Sequence, residues 1–229
     1  MPEFSVARKE IKYLLDTKTA FSLQRKLGLI LPVDRQATQG GYLVRSLYFD
    51  TLYDKDYYDK IDGLEMRRKI RLRIYSPEDT TAKLEVKEKW GGDQWKRSAT
   101  ISKEDARRLI AGDYHALRQK NLSPFLRTVL LKMETEVYLP KTIVEFRRLA
   151  FIGQTNNTRI TFDSQLKAIE SNFDLFSRNL SFYPILYPMI LEVKYNHFLL
   201  SSIKQLLNLA DQVPVATSKY ALGRQISFY

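Results

Sequence analysis

Arg67-Arg68-Lys69-Ile70-Arg71-Leu72-Arg73-Ile74-Tyr75 is the stretch that decides how this chain is read. Successive side chains of a β-strand point to opposite faces. As a strand, the run sets Arg67, Lys69, Arg71 and Arg73 on one face and Ile70, Leu72 and Ile74 on the other. The apolar face can pack on a core. The cationic face must look at water or at something strongly anionic. One such strand fits a plain solvated sheet face as well as a polyanion-binding wall.

The same alternation recurs along the chain. Residues 83–89 place Lys83, Glu85, Lys87 and Lys89 opposite Leu84 and Val86. Residues 8–14 oppose Arg8, Glu10 and Lys12 to Ile11 and Tyr13, and residues 158–163 oppose Arg159, Thr161 and Asp163 to Ile160 and Phe162. Residues 189–195 set Ile190, Glu192 and Lys194 against Leu191, Val193 and Tyr195. Two looser stretches align Ser46, Tyr48 and Asp50, and Phe146 with Arg148. Arginine and lysine recur on these faces with few carboxylates between them, more than a solvated sandwich requires. The expected architecture is α+β, a closed eight-stranded antiparallel β-barrel with peripheral helices. Its apolar sides would face outward under the helices, and its charged sides would line a tunnel. Crowding cations is repulsive and drying them is costly, so such a lumen stays wet or holds a polyanion or metal–phosphate complex.

Composition narrows the function classes. At 229 residues the chain is expected to form one domain, 1–229, and its 44% hydrophobic content excludes wholesale disorder. The absence of cysteine removes disulfides, thiolate catalysis and Fe–S clusters. The N-terminal residues contain no long apolar run, so no signal peptide is expected. The apolar segment around 182–193 is interrupted by Pro184 and Pro188 and falls short of the ~20 residues of a membrane helix, which leads to the expectation of a cytoplasmic protein with no membrane segment. A net charge of +11 raises nucleic acid as a partner. The cations, however, sit at alternating strand positions rather than in a tail or basic helix. The 14 tyrosines and 12 phenylalanines fall mostly opposite them, where core packing accounts for them, so no nucleic acid is expected.

Helix signals punctuate the strands. Asp16-Thr17 predicts a helix ending near Gly28, residues 52–60 a short helix, Ser102 with Asp105 a helix to Gly112, Ser123-Pro124 a helix to about Lys132, and residues 198–210 a last one. Strands are expected near 134–139 and 142–152, separated at Pro140, and a hairpin at Gly91-Gly92-Asp93. Among the acidic residues on the charged faces, Glu10, Glu85, Asp163 and Glu192, the best metal candidate is Glu192. A hard cation such as Mg²⁺ or Mn²⁺ takes one or two carboxylates together with substrate phosphate oxygens. His115 and His197 lie in no ligand or triad spacing, and no Walker loop, Gly-x-Gly-x-x-Gly or serine elbow occurs.

The motifs resemble the polyphosphate-polymerase domain of the vacuolar transporter chaperone complex, a branch of the triphosphate tunnel metalloenzymes. They are Arg8-x-Glu10-x-Lys12-Tyr13, Arg45-Ser-Leu-Tyr48-Phe-Asp50-Thr51, Lys69-Ile-Arg71-Leu-Arg73-Ile-Tyr75, Leu84-Glu85-Val-Lys87, Phe146-Arg-Arg148, Arg159-Ile-Thr161-Phe-Asp163, Ile190-Leu-Glu192-Val-Lys194-Tyr195 and Ser218-Lys219-Tyr220. The resemblance implies transfer of the ATP γ-phosphate to a growing inorganic polyphosphate chain, with phosphate or pyrophosphate as primer and Mn²⁺ or Mg²⁺ as cofactor. It implies catalytic or triphosphate contacts for Arg71, Arg73, Lys87, Arg148 and Arg159, with Glu192 on the metal; Glu10 and Asp163, by their place on the charged faces, are the further metal candidates. Substrate binding falls to Lys12, Ser218 and Lys219, with Lys96 a looser match, and Arg8, Tyr48, Lys69, Lys89 and Lys194 complete the expected set. Phe146 stands where the family often has tyrosine, and Ala216 where some members place lysine. The regulatory domain and membrane helices of the eukaryotic proteins are not expected here. Two other readings stay open: a tunnel triphosphatase, and a non-catalytic polyanion-binding module.

Overall fold

In the computed structural model, residues 8–35, 40–91, 93–185, 189–208 and 213–228 are described. The strands are β1 (Arg8–Leu15), β2 (Tyr42–Thr51), β3 (Arg67–Ile74), β4 (Thr81–Trp90), β5 (Asp93–Ser102), β6 (Tyr138–Gly153), β7 (Thr158–Ile169), the two-residue β8 (Tyr183–Pro184) and β9 (Met189–Asn196). The helices are α1 (Thr17–Gly28), α2 (Lys55–Ile61), α3 (Lys103–Ile110), α4 (Tyr114–Arg118), α5 (Pro124–Thr135), α6 (Ser201–Asn208) and α7 (Lys219–Arg224). Caps fall where side-chain chemistry places them. Asp16 accepts from Thr19 N at 2.9 Å, Ser102 from Asp105 N at 3.0 Å and Ser123 from Leu126 N at 3.3 Å.

The chain divides into two compact units. Unit 1 comprises Met1–Leu43, Phe146–Leu166 and Pro184–Thr217, and unit 2 comprises Val44–Glu145, Lys167–Tyr183 and Ser218–Tyr229. In unit 1, β9 pairs antiparallel with both β1 and β7. The apolar face of these strands supplies Ile160, Phe162, Leu191 and Val193, and β6 supplies Phe151, to a core closed by Ala20, Leu23 and Leu27 of α1 and Ile203 and Leu207 of α6. In unit 2, β2, β3, β4 and β5 form successive antiparallel pairs. There Leu47, Phe49, Ile70, Leu72, Leu84 and Val86 pack on Ala106 and Leu109 of α3 and Val129, Leu130 and Met133 of α5. In both units the alternation read from the sequence puts the apolar side under helices and leaves the charged side as the other face.

The closed barrel expected from the sequence does not form. The hydrogen-bonded strand order is β1-β9-β7-β6-β2-β3-β4-β5, with β8 beside β7, and among the described residues no ladder joins β1 to β5. The reason lies at the two terminal strands. On β1 the carbonyl of Lys12 accepts from Val215 N at 2.8 Å, so the segment before α7 takes a bonding position that a closing strand would need. On β5 most side chains are exposed, Lys96 and Arg97 among them, and a charged edge discourages further pairing.

Two smaller expectations also change. Pro140 does not divide two strands: β6 runs through it for 16 residues, while Glu134 and Thr135 end α5. Proline is tolerated near the start of a strand, where the missing N–H costs little pairing. The five-residue α4 had no periodic signal, but Asp113 caps it by accepting from Ala116 N at 3.2 Å.

Candidate functional site

The charged face of unit 2 is built from cross-strand rows. Tyr48, Arg71, Glu85 and Ser98 form one row, Lys69, Lys87 and Lys96 a second, Arg67, Lys89 and Gln94 a third, and Ser46, Arg73, Lys83 and Thr100 a fourth. Side chains in such rows are neighbours on one face of the sheet. On β3, β4 and β5 every charged member of these rows is a cation except Glu85. Glu85 is buried; Arg71 Nε donates to it at 2.7 Å, Arg73 Nε lies 3.6 Å away, and the Lys96 ammonium forms a third ion pair. Burial pushes the Glu85 carboxyl up, but Arg71, Arg73 and Lys96 outweigh it and hold it at about 2.

Arg71 is tied on a second side. Its Nη1 donates to the Tyr48 hydroxyl at 3.2 Å and its guanidinium lies 5.8 Å from the centre of that ring. Burial alone would favour losing its charge, yet Tyr48 and Glu85 shift the guanidinium further toward the protonated form. Tyr48 stacks on Tyr220 with ring centres 5.2 Å apart. The Tyr220 hydroxyl donates to Asp50 at 2.5 Å. Ser218 caps α7, and its hydroxyl also accepts from Lys69 Nζ at 2.7 Å. Lys219 opens that same helix. The tight seat of α7 leaves no space at Gly223, where a Cβ would meet Val144 Cγ2 at 2.7 Å.

The charged face of unit 1 pairs its charges more closely. Its rows are Glu10, Lys194 and Arg159, then Lys12, Glu192 and Thr161. Glu10 lies 3.0 Å from Lys12 and 3.6 Å from Lys194, while Glu192 lies 3.1 Å from Lys194 and 4.0 Å from Lys12. Arg148 donates a two-pronged pair of bonds to Asp163, at 2.6 and 2.7 Å, and its Nη2 lies 3.8 Å from Glu192. Burial opposes the Arg148 charge, but Asp163 and then Glu192 reinforce it. Phe146 lies under the same guanidinium, 5.2 Å away. Arg159 donates to Asp34 at 2.7 Å and to the Tyr42 hydroxyl at 3.2 Å. Backbone geometry supports Arg148 from behind. Gly41 adopts a positive φ of +86°, and a Cβ there would fall 2.4 Å from the Arg148 carbonyl oxygen.

The unit 1 face offers oxygen donors of the kind a hard cation takes. Glu192 is 7% exposed, Glu10 sits on the adjoining strand, and the Thr161 hydroxyl beside Glu192 is buried with no hydrogen-bond partner. Among the described residues no three acidic or histidine side chains gather into a metal-binding group. Two carboxylates with an orphaned hydroxyl fit Mg²⁺ or Mn²⁺, which keep several waters and share phosphate oxygens. Asp163 fits less well, since both its oxygens accept from Arg148.

The expected site residues with described side chains therefore divide between the two units. Lys12, Glu10, Arg148, Arg159, Asp163, Glu192 and Lys194 share the unit 1 face, and Tyr48, Lys69, Arg71, Arg73, Lys87, Lys89 and Lys96 share the unit 2 face, joined there by Ser218. The Arg8 side chain lies outside the described residues. Arg45, quoted within a motif, belongs instead to the buried side of β2; its guanidinium binds Glu145 at 2.6 Å and the Leu175 and Ser177 carbonyls. Asp34 and Tyr42 were missed because they lie outside the charged alternations of the sequence. His115 pairs with Gln119, in keeping with a helix-flanking residue.

Residues 7–228 match the family model described as the VTC domain. No curated protein matches the chain. Its structure is similar to that of a candidate adenylate cyclase from Bacillus halodurans, at 12% identity and a TM-score of 0.57, covering 97% of this chain and 99% of that one. It is also similar to a candidate adenylyl cyclase from Hippeastrum described as having a dominant triphosphatase activity, at 15% identity and a TM-score of 0.54, covering 94% of each chain. At such identities the likeness speaks for the fold alone.

Proposed function

The chain belongs to the VTC domain family, and on that premise we propose that it is a metal-dependent polyphosphate polymerase. In the proposed reaction a terminal oxygen of a polyphosphate chain, or of a phosphate or pyrophosphate primer, attacks the γ-phosphorus of ATP. The bond to the β,γ-bridging oxygen breaks, ADP departs, and the chain is one phosphate longer. Little covalent work falls to the protein in such a transfer; positioning and charge stabilisation do most of it. The observation that carries this reading is the family match across residues 7–228, and the two basic sheet faces agree with it.

Arg71, Arg73, Lys87, Arg148 and Arg159 are proposed to contact the reacting phosphates, the arginines as planar forks and the lysine as a point charge. Lys12, Tyr48, Lys69, Lys89, Lys96, Lys194, Ser218 and Lys219 are proposed to bind nucleotide or polymer, together with Arg8. Glu192 and Glu10 would hold Mg²⁺ or Mn²⁺, which when bound neutralises phosphate charge and polarises the transferred group. Asp163 is proposed to hold the Arg148 fork in place rather than to bind metal.

A triphosphatase is the second reading, favoured by the activity described for the Hippeastrum protein of similar fold. The two differ in whether a phosphate chain or water reaches the γ-phosphorus. Incubating the purified protein with ATP and Mn²⁺ or Mg²⁺ and resolving the products on a gel separates them. A ladder of lengthening phosphates is the expected result. Free phosphate without a ladder would replace the polymerase with the hydrolase, and no turnover with either metal would leave a polyanion-binding module.

A further inference from the structure

Glu85 occupies an unusual position for an acidic group. It is 3% exposed, it is the one carboxylate on the charged face of β3, β4 and β5, and it touches three cations from the two flanking strands. Arg71 comes from directly across on β3, Arg73 from the diagonal position on the same strand, and Lys96 from the diagonal position on β5. Arg71 donates to it through Nε, while Arg73 Nε lies 3.6 Å from it as an ion pair and donates to Ser46 at 3.4 Å. An anchor at Nε fixes the plane in which a guanidinium presents its Nη groups. For Arg71 that plane is fixed again from the other end, where Nη1 meets Tyr48.

Simple charge relief explains this arrangement less well. A carboxylate needed only to dilute repulsion would serve equally from an exposed position, whereas Glu85 is buried. Burying a charge is costly unless geometry repays it, and three converging donors supply that geometry. We propose that Glu85 is a positioning residue for phosphate binding, presetting Arg71, Arg73 and Lys96 as one rigid three-pronged receptor for a single triphosphate. The proposal rests on the phosphate-handling reading above and extends it to a residue that touches no substrate.

The two roles predict effects of opposite sign. Replacing Glu85 by glutamine makes the face one charge more positive. If Glu85 only dilutes charge, a polyanion then binds the variant more tightly. If it positions, the three side chains regain rotamer freedom that binding must remove, and affinity falls.

The test is calorimetric titration of metal-free protein with inorganic tripolyphosphate over a series of salt concentrations, for the wild type, Glu85→Gln and Glu85→Asp. The expected result is binding weakened about tenfold or more in Glu85→Gln despite its added positive charge. Glu85→Asp keeps the charge one methylene short, so it too should bind more weakly, and it serves as the variant of record if the glutamine form does not fold. Equal or tighter binding by Glu85→Gln, or wild-type affinity in Glu85→Asp, overturns the positioning role while leaving the phosphate-handling reading standing. A wild-type chain that binds no tripolyphosphate at any salt removes that reading and the inference together.

Discussion

To their charged face β3, β4 and β5 contribute one carboxylate, Glu85, whereas on the face shared by β1, β9, β7 and β6 the cations stand beside acidic neighbours. Lys12 and Lys194 lie between Glu10 and Glu192, Arg148 grips Asp163, and Arg159 grips Asp34. Both faces come from the same two-residue alternation, yet they store charge differently. A face with surplus positive charge is poised for an anion, and its attraction should be strong and salt-sensitive. A face of matched pairs has little net pull. What it offers instead is exchange, in which a phosphate takes over a cation and leaves a carboxylate for a metal.

The largest expected effect tests the exchange side of that comparison. Glu192→Gln should lower metal-dependent ATP turnover by on the order of 100-fold or more, with thermal melting showing a folded protein. Turnover close to wild type would remove Glu192 from the metal site and leave the unit 1 face as mere ion pairing. Next comes the contrast in affinity. Lys87→Ala, on the surplus face, should weaken metal-free tripolyphosphate binding about tenfold, and Lys194→Ala, on the matched face, about twofold or less, both measured by calorimetry. Equal losses would erase the distinction between the faces.

Stability gives two smaller effects. Gly41→Ala forces a Cβ against the Arg148 carbonyl in a backbone region that suits glycine, and should cost about 1–3 kcal/mol in urea unfolding. No loss of stability would mean that Arg148 is not braced from behind. The final effect concerns a buried acid on unit 2. Asp56 is 2% exposed and accepts from the Tyr138 hydroxyl at 3.0 Å. Burial first, then the charge of Asp50, pushes its carboxyl up to about 7. The folded chain thus keeps a proton that the unfolded chain loses near 3.8. Its stabilising contribution is complete at acid pH and fades as pH rises through about 7. Glu85 runs the other way: its folded value of about 2 means that its contribution is present above the unfolded value near 4.5 and fades as pH falls toward 2. Asp56→Asn should therefore flatten the decline in stability between about pH 4 and pH 7, and an unchanged slope would show that Asp56 is ionised throughout.

Much of this was legible in the strands themselves. A period of two assigns every side chain of Arg67–Ile74 to a face, and the structure keeps Ile70, Leu72 and Ile74 in the core. Capping residues fixed the starts of α1, α3 and α5 for equally local reasons. What escaped depends on register and on distant partners. Glu85 was visible as a lone acid among cations, but its contact with Lys96 needs the β4–β5 register, and its contacts with Arg71 and Arg73 need that of β3–β4. Arg45 shares the phase of Leu47 and Phe49, so alternation turns it inward, but its partner Glu145 lies 100 residues on and no local pattern announces it. The open order of the strands could not be read at all, because it turns on what occupies the edge of β1.

That edge also bears on how the protein comes to fold. The Lys12 ammonium donates to the Thr217 carbonyl at 3.3 Å across a sequence separation of 205, beside the backbone bond from Val215. β1 is made before the other strands of the sheet, and its partners β9 and residues 215–217 are made after them. Contacts so far apart in sequence carry a high loop-closure cost and slow the search for the native state. During synthesis, Lys12 and Glu10 must therefore wait as an unpaired strand while most of the chain is made. Chaperone dependence and slow refolding are the consequences to look for, and a circular permutant that places β1 after α7 in the sequence should shorten the wait.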